Sequence, residues 1–402
     1  MASEVADLVV VGGGTVGGWA SLFVRSLGAG RVVVLEQGTV GQGASSRAAG
    51  IVRAQGGTPE AVRLGQWSID FYRGQRRALG VDSGFRELGY LLLAVTEDDV
   101  RAARERLDVQ QALGLDVRWV DPDEVASLNP TLSSGGFLGA TYAPADGCID
   151  PPRNVLAYSL AMQRAGVELR ERVAFRGLRV RDGRLVGVET SKGAIATERV
   201  ILTGGPRLRE VGELAGMRIP VGAVRHQVAV THPHHQFSVD RLPMAFDVGA
   251  GLYWRLEEGG LLFGMSNPDE PVGEAREIDW PYMEKMHRRL ASFVPVTERL
   301  GLRKAWAATI DFTPDHLPII GPGLSPSGDV VEGVTVASAG GHGMMWGPAV
   351  ARATADLALY RKTDVVDVTD LGLDRFDAEG RSRLAPDSIA LPFPTTARSG
   401  SD

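Results

Sequence analysis

"DLVVVGGGTVGG", residues 7 to 18, decides how the rest of the chain is read. Asp7 to Val11 is a short apolar run without alternation, the pattern of a strand buried on both faces. Gly12, Gly14 and Gly17 follow in the spacing G-x-G-x-x-G, with Val16 inside the turn. A helix is predicted to about Leu27, then a second strand, "RVVVLE", ending at Glu36. Strand, glycine turn, helix and strand make a βαβ unit. The glycines allow a tight turn, close approach of a pyrophosphate and close helix–strand packing. The helix N-terminus adds N–H donors and partial positive charge. A carboxylate at Glu36 can accept from a ribose hydroxyl. These features predict dinucleotide binding without telling a flavin from a nicotinamide.

Composition sets the frame. The chain has 402 residues, long for one core, which predicts two domains. It is 44% hydrophobic and 23% charged, ordinary for a globular enzyme. The formal net charge is −6, which argues against nucleic acid as a partner. Lys192, Lys285, Lys304 and Lys362 are the only lysines among 43 basic residues, so few catalytic lysines are available. A single cysteine, Cys148, excludes an intramolecular disulfide. The N-terminus runs straight into a strand with no secretory pattern, and no apolar run approaches the ~20 residues of a membrane span. A soluble, cytoplasmic protein without a membrane partner is expected.

Working outward, "GQGASSRAAGIVR" (41–53) is rich in small residues and carries Arg47 and Arg53. A loop of this kind suits a ligand that extends beyond its pyrophosphate. Helices are predicted over 58–79, 97–113, 279–293 and from Pro348 to about Arg361. "LRVRDGRLVGV" (178–188) reads as a hairpin about Asp182-Gly183. Residues 224–265 are strand-rich. A second glycine turn, "VASAGGHGMMWGPAVA" (336–351), again joins a strand to a helix. "HPHH" (His232, His234, His235) lies in a predicted loop without carboxylate or cysteine support, so no metal site is expected. Trp306 and Trp346 read as core or pocket wall.

The ordered set "VVVGGGTVGG", "GASSRAAGIVR", "DGCIDP", "VILTGGP", "RHQVAVT", "GLYWR", "AWAATIDFTPDHLPIIG" and "ASAGGHGMMWGPAVA" resembles the D-amino-acid oxidase superfamily of FAD enzymes. It is most similar to the branch with sarcosine oxidases, glycine oxidases and the flavin subunit of L-proline dehydrogenase. The resemblance runs over about residues 6 to 360. It implies an α/β (α+β) fold, a Rossmann-like FAD-binding domain interleaved with a smaller, mainly antiparallel β substrate domain. The FAD domain is expected at 1–84, 146–219 and 306–365, and the substrate domain at 85–145 and 220–305. A tail would follow from 366 to 402.

The resemblance also implies site residues. Around the first turn it adds Ser45, Ser46, Arg47 and Gly50 as cofactor contacts. Further on it adds Val173, Gly204 and Gly205. The late turn is implied to lie beside the flavin ring, with donors from Gly341, His342, Gly343 and Met344 stabilising negative charge on it. Relatives that attach flavin covalently use a cysteine or histidine where this chain has Ala308 and Arg47, so FAD is expected to be non-covalent. Activity is implied to be oxidation of a C–N bond to an imine, with hydride moving to the flavin. The substrate would be a small amine or amino acid, and dioxygen or another molecule the electron acceptor. Arg53, Tyr253, His342 and Met345 are the catalytic candidates, with Arg255 beside them.

Two departures shape the substrate. Met345 stands where monomeric sarcosine oxidases place a lysine for the substrate carboxylate, and Ile310 where glycine oxidases place an arginine. Both favour a secondary or cyclic amine, with Arg53 left for a carboxylate. Leu262 replaces the lysine that speeds reaction with dioxygen. The expected activity is an oxidase, with His342, Arg53 or the protonated product supplying charge. The alternatives are an amine dehydrogenase, an aromatic hydroxylase or a flavin-binding subunit without catalysis.

Overall fold

A computed structural model describes residues 4–133 and 135–389. Among them, two large sheets are built from pieces that alternate along the sequence. In the first, the order is Glu4–Val5, Gly193–Ala196, Arg184–Thr190, Val330–Ser338, Val200–Leu202, Leu8–Val11, Val32–Glu36 and Glu168–Glu171. Its centre is parallel: Val10 pairs with both Ile201 and Val34, and Ile201 pairs with Thr335. These strands are buried on both faces, which explains their unbroken apolar runs. Helices Thr15–Ser26, Pro151–Ala165 and Gly347–Tyr360 cover one side, where Trp19, Tyr158 and Ala351 join one cluster. The expected hairpin forms between Phe175–Arg181 and Arg184–Thr190, with Asp182 and Gly183 both at positive φ.

The second sheet runs Leu302–Phe312, Gly222–Thr231, Gly260–Met265, Leu252–Glu257, Met244–Asp247, Tyr90–Ala94, Gly139–Ala143 and Arg118–Val120. It is antiparallel apart from the pairing of Met244–Asp247 with Tyr90–Ala94. Helix Trp280–Phe293 closes its outer face, burying Met283, Met286 and Leu290 against Trp254 and Phe263. A small sheet of Ile51–Val52, Gly147–Cys148 and Arg86–Glu87 lies where the chain passes between the two. The expected boundary at residue 306 falls inside strand Leu302–Phe312, which pairs along its length with Gly222–Thr231.

The segment after helix Gly347–Tyr360, expected as a tail, packs into the body. Arg375 and Asp315 are buried and bonded through two nitrogens to two oxygens, at 2.7 and 3.1 Å. The Arg375 guanidinium also donates to the carbonyls of Leu371 and Leu317. Residues 390–402 of that tail lie outside the described residues. No helix among the described residues is long and apolar enough to cross a membrane.

Candidate functional site: a long cavity between two glycine turns

The first turn is shaped by contacts that only glycine permits. Gly12 has φ +97°, and a Cβ at Gly17 would lie 2.0 Å from the Gly12 carbonyl oxygen. Gly14 differs, because a Cβ there would meet only the Ser45 hydroxyl, at 3.3 Å, and would otherwise project into open space. Gly14 caps helix Thr15–Ser26 with no side-chain acceptor and no acidic residue in the first turn. The helix N-terminus therefore presents donors and positive potential to a cavity. Glu36 accepts from the Gly13 amide at 3.0 Å and from the Gly38 amide at 2.7 Å, which fixes its carboxylate beside the turn.

The late turn is brought to the same cavity. The Tyr72 hydroxyl donates to the Met344 carbonyl at 3.0 Å, and Asn154 reaches both Thr15 and the Met344 sulfur. A Cβ at Gly347 would lie 2.9 Å from Thr15, so the two helices that follow the two turns start almost in contact. Gly343 has no heavy atom within 4 Å of where its Cβ would be, and it opens on the cavity. The cavity, about 560 Å³, runs from Glu36 and Gln37 past both turns to a far end lined by Arg53, Tyr90, His226, Phe246, Tyr253 and Ile389.

Most of the residues expected at the cofactor line this space: Gly12, Gly14, Val16, Gly17, Glu36, Ser45, Arg47, Gly50, Gly204 and Gly205, then Gly341, His342, Gly343 and Met344. Two others lie off its wall. Ser46 turns its hydroxyl to the Gly41 carbonyl, and the Val173 amide donates to the Glu36 carbonyl. Met345 lines the cavity as an apolar wall. Arg255 does not line it: its guanidinium is bound to Glu257, Ala49 and Leu256, an internal structural pairing. The His342 ring faces Trp346, and its Nδ1 lies 3.0 Å from the Gly340 carbonyl. Burial, then the neighbouring Arg53 cation, push its pKa down to about 3, so it is neutral at pH 7. Burial disfavours its charged form, which makes Arg53 the better source of that positive charge.

Three residues escaped the sequence reading. His226, in strand Gly222–Thr231, has Nε2 2.6 Å from the Tyr253 hydroxyl. Burial lowers its pKa to about 4 and raises that of the Tyr253 phenol. The phenol keeps its proton and the imidazole is neutral with one N–H; its Nδ1 lies 3.5 Å from the Ser266 hydroxyl. Asp311 is the second. It is half-buried on the cavity wall, accepts from Ser338 at 2.7 Å and faces the Gly341 and Gly340 amides. Burial raises its pKa. Ile389, the third, comes from the supposed tail. The only signal for His226 was its place in the quoted "RHQVAVT", and for Asp311 its place in "ATIDFTPDH". Ile389 carried none.

A parallel nucleotide-binding sheet facing a mainly antiparallel sheet across one elongated cavity defines a two-domain flavoprotein oxidoreductase fold. The chain belongs to the FAD dependent oxidoreductase (DAO) family, whose profile matches residues 7–357. It is 27% identical over 385 residues to a 4-methylaminobutanoate oxidase (formaldehyde-forming) of Paenarthrobacter nicotinovorans, covering 93% of this chain and 46% of that protein. It thus spans less than half the length of that relative. Among solved structures, L-proline dehydrogenase from P. horikoshii superposes with a TM-score of 0.83 at 24% identity, over 90% of this chain and 96% of that one. Glycine oxidase from Geobacillus kaustophilus gives 0.80 at 25% identity, over 93% and 100%.

The residues present fit FAD. The open face of Gly14 and the uncapped helix suit a pyrophosphate, and Glu36 a ribose. Gly343 with the late turn offers a second open glycine surface on the same cavity. Among the described residues no group of histidine, cysteine and acidic side chains is placed to hold a metal ion.

Proposed function

We propose that this chain oxidises the C–N bond of a small secondary or cyclic amine that carries a carboxylate. Bound FAD would supply the hydride acceptor. The observation that carries this reading is Arg53. It is 5% exposed, lines the far end of the cavity, and among the described residues makes no ion pair. Its guanidinium donates only to the carbonyls of Gln55 and Ile389. The buried Asp146 carboxylate acts on it through space without a contact ion pair, and an anionic ligand would supply the direct partner that the guanidinium lacks. A substrate carboxylate is such a ligand.

The other end of the substrate would meet the Tyr253 hydroxyl. In the tautomer where the phenol donates to His226 Nε2, the phenol oxygen has lone pairs free to accept from the amine N–H. The neutral imidazole puts no second cation beside the amine. The apolar walls of Tyr90, Phe246 and Met345 exclude water, and desolvation favours the neutral amine that C–N oxidation needs.

For the electron acceptor we propose dioxygen, with Arg53 as the charge beside the reaction. A dehydrogenase using another acceptor is the second reading. It is favoured by Leu262, which is buried between Arg255 and Val230 and carries no charge. An anaerobic panel of amines and amino acids, followed by flavin bleaching, tests the first claim. The reading fails if no secondary or cyclic amino acid bleaches the flavin. Mixing the reduced enzyme with aerated buffer tests the second. Reoxidation far slower than turnover with an artificial dye would select the dehydrogenase.

A further inference from the structure

The segment 382–389 crosses from the buried Arg375–Asp315 pair to the far end of the cavity. Ser382 donates to the Asp315 carboxylate at 2.6 Å, and the Asp387 amide donates to the Asp315 carbonyl at 3.2 Å. Gly57 leaves room for Asp387, since a Cβ there would lie 2.0 Å from its carboxylate. Asp387 is buried, and so is Arg106, which senses both Asp387 and Arg53. The chain then delivers Ile389, 1% exposed, into a cluster with Tyr90, Phe246 and Tyr253. The Ile389 carbonyl accepts from Arg53 Nη2 at 2.7 Å.

One residue therefore touches both features that the proposed function relies on. Its carbonyl holds the guanidinium that would bind a carboxylate. Its side chain is packed beside the tyrosine that would meet the amine. We propose that Ile389 is a specificity-determining residue. It forms the wall that limits the length and branching of the substrate between Arg53 and Tyr253, and its carbonyl positions Arg53 for the carboxylate. The strap is anchored on either side of Ser382 by the Asp315–Arg375 pair and the Asp387 amide. The inference rests on the amine-oxidation reading of the cavity.

The test uses the full-length flavoprotein and two substitutions of opposite size, Ile389→Ala and Ile389→Phe. Flavin absorbance is titrated with acetate, propionate, butyrate and benzoate, which bind without reacting. The same proteins are then screened for anaerobic bleaching by amino acids of increasing side-chain size. Relative to acetate, the larger carboxylates should bind about tenfold tighter in Ile389→Ala and about tenfold weaker in Ile389→Phe. Acetate itself should change little in either. Flavin content and melting temperature identify a variant that has not folded, and the other variant then carries the test. If wild type binds these carboxylates but the size profile is the same in every folded variant, this inference is overturned alone. If wild type neither binds carboxylates nor is bleached by any amine, the functional reading fails and this inference fails with it.

Discussion

Tyr253 and His226 share one short hydrogen bond, 2.6 Å from phenol oxygen to Nε2, although they lie on different strands of the antiparallel sheet. Strand Gly260–Met265 runs between those two, and a Cβ at Gly264 would fall 2.2 Å from the Tyr253 hydroxyl. Glycine at 264 is what lets the phenol reach across to the histidine. Replacing Tyr253 by phenylalanine removes the proposed acceptor for the amine without moving the ring. Substrate-dependent flavin reduction should slow by about tenfold to a hundredfold, with flavin content unchanged. Stopped-flow reduction under anaerobic conditions measures this, and an unchanged rate would remove Tyr253 from the site.

The glycines of the first turn should separate into two phenotypes. Gly14→Val points its side chain into the cavity and should cost most of the bound FAD while the apoprotein melts normally. Gly17→Ala drives a Cβ against the Gly12 carbonyl and should lower the melting temperature of the apoprotein itself. The ratio of flavin to protein absorbance, read beside a thermal melt, distinguishes them. A Gly14→Val protein purified with full flavin would mean that this turn is not the cofactor site.

Arg375 and Asp315 predict a double-substitution result. Arg375→Met leaves a buried carboxylate without its partner and should cost about 3–5 kcal/mol, several degrees in melting temperature. Adding Asp315→Asn to it should recover part of that loss. Urea unfolding of the single and double variants gives the comparison, and equal losses in both would show that the charge pairing is unimportant.

His342 gives a pH dependence with a fixed sign. Its folded pKa, about 3, lies below the ordinary value of 6.5, so the unfolded chain binds the proton more readily. Its contribution to stability is complete above about 6.5 and is lost as pH falls from there towards 3. His226, lowered to about 4, acts in the same direction. Thermal melts at pH 7.5, 5.5 and 4.5 should show wild type losing stability with acid, and His342→Gln losing less. A variant that tracks wild type at every pH would contradict this.

What the sequence revealed follows from how local each signal is. The βαβ unit was legible because its strand, glycines and acid all act within one short stretch, from Asp7 to Glu36. That Arg53 and Tyr253 face one cavity follows motifs already visible in the sequence. His226 was not singled out, because a single histidine in an alternating strand looks the same whether it faces a core or a phenol from another strand. Arg255 misled for the converse reason, since Glu257 on the same strand takes its charge. Ile389 was unreadable, because a Pro- and Asp-punctuated segment gives no period from which burial can be inferred. Its place is set by Asp315, far back in the chain.

Strand Val330–Ser338 lies between Val200–Leu202 and Arg184–Thr190, near the middle of the parallel sheet. It is also the last strand of that sheet to be synthesised. Until it emerges, Val200–Leu202, paired on one side with Leu8–Val11, leaves an unpaired apolar edge while about 130 further residues, including strands Gly222–Thr231 to Leu302–Phe312 of the other sheet, leave the ribosome. Folding of the nucleotide half is therefore a late, non-local closure. Chains stalled or cut before residue 330 should aggregate through that open edge rather than fold as a separable module.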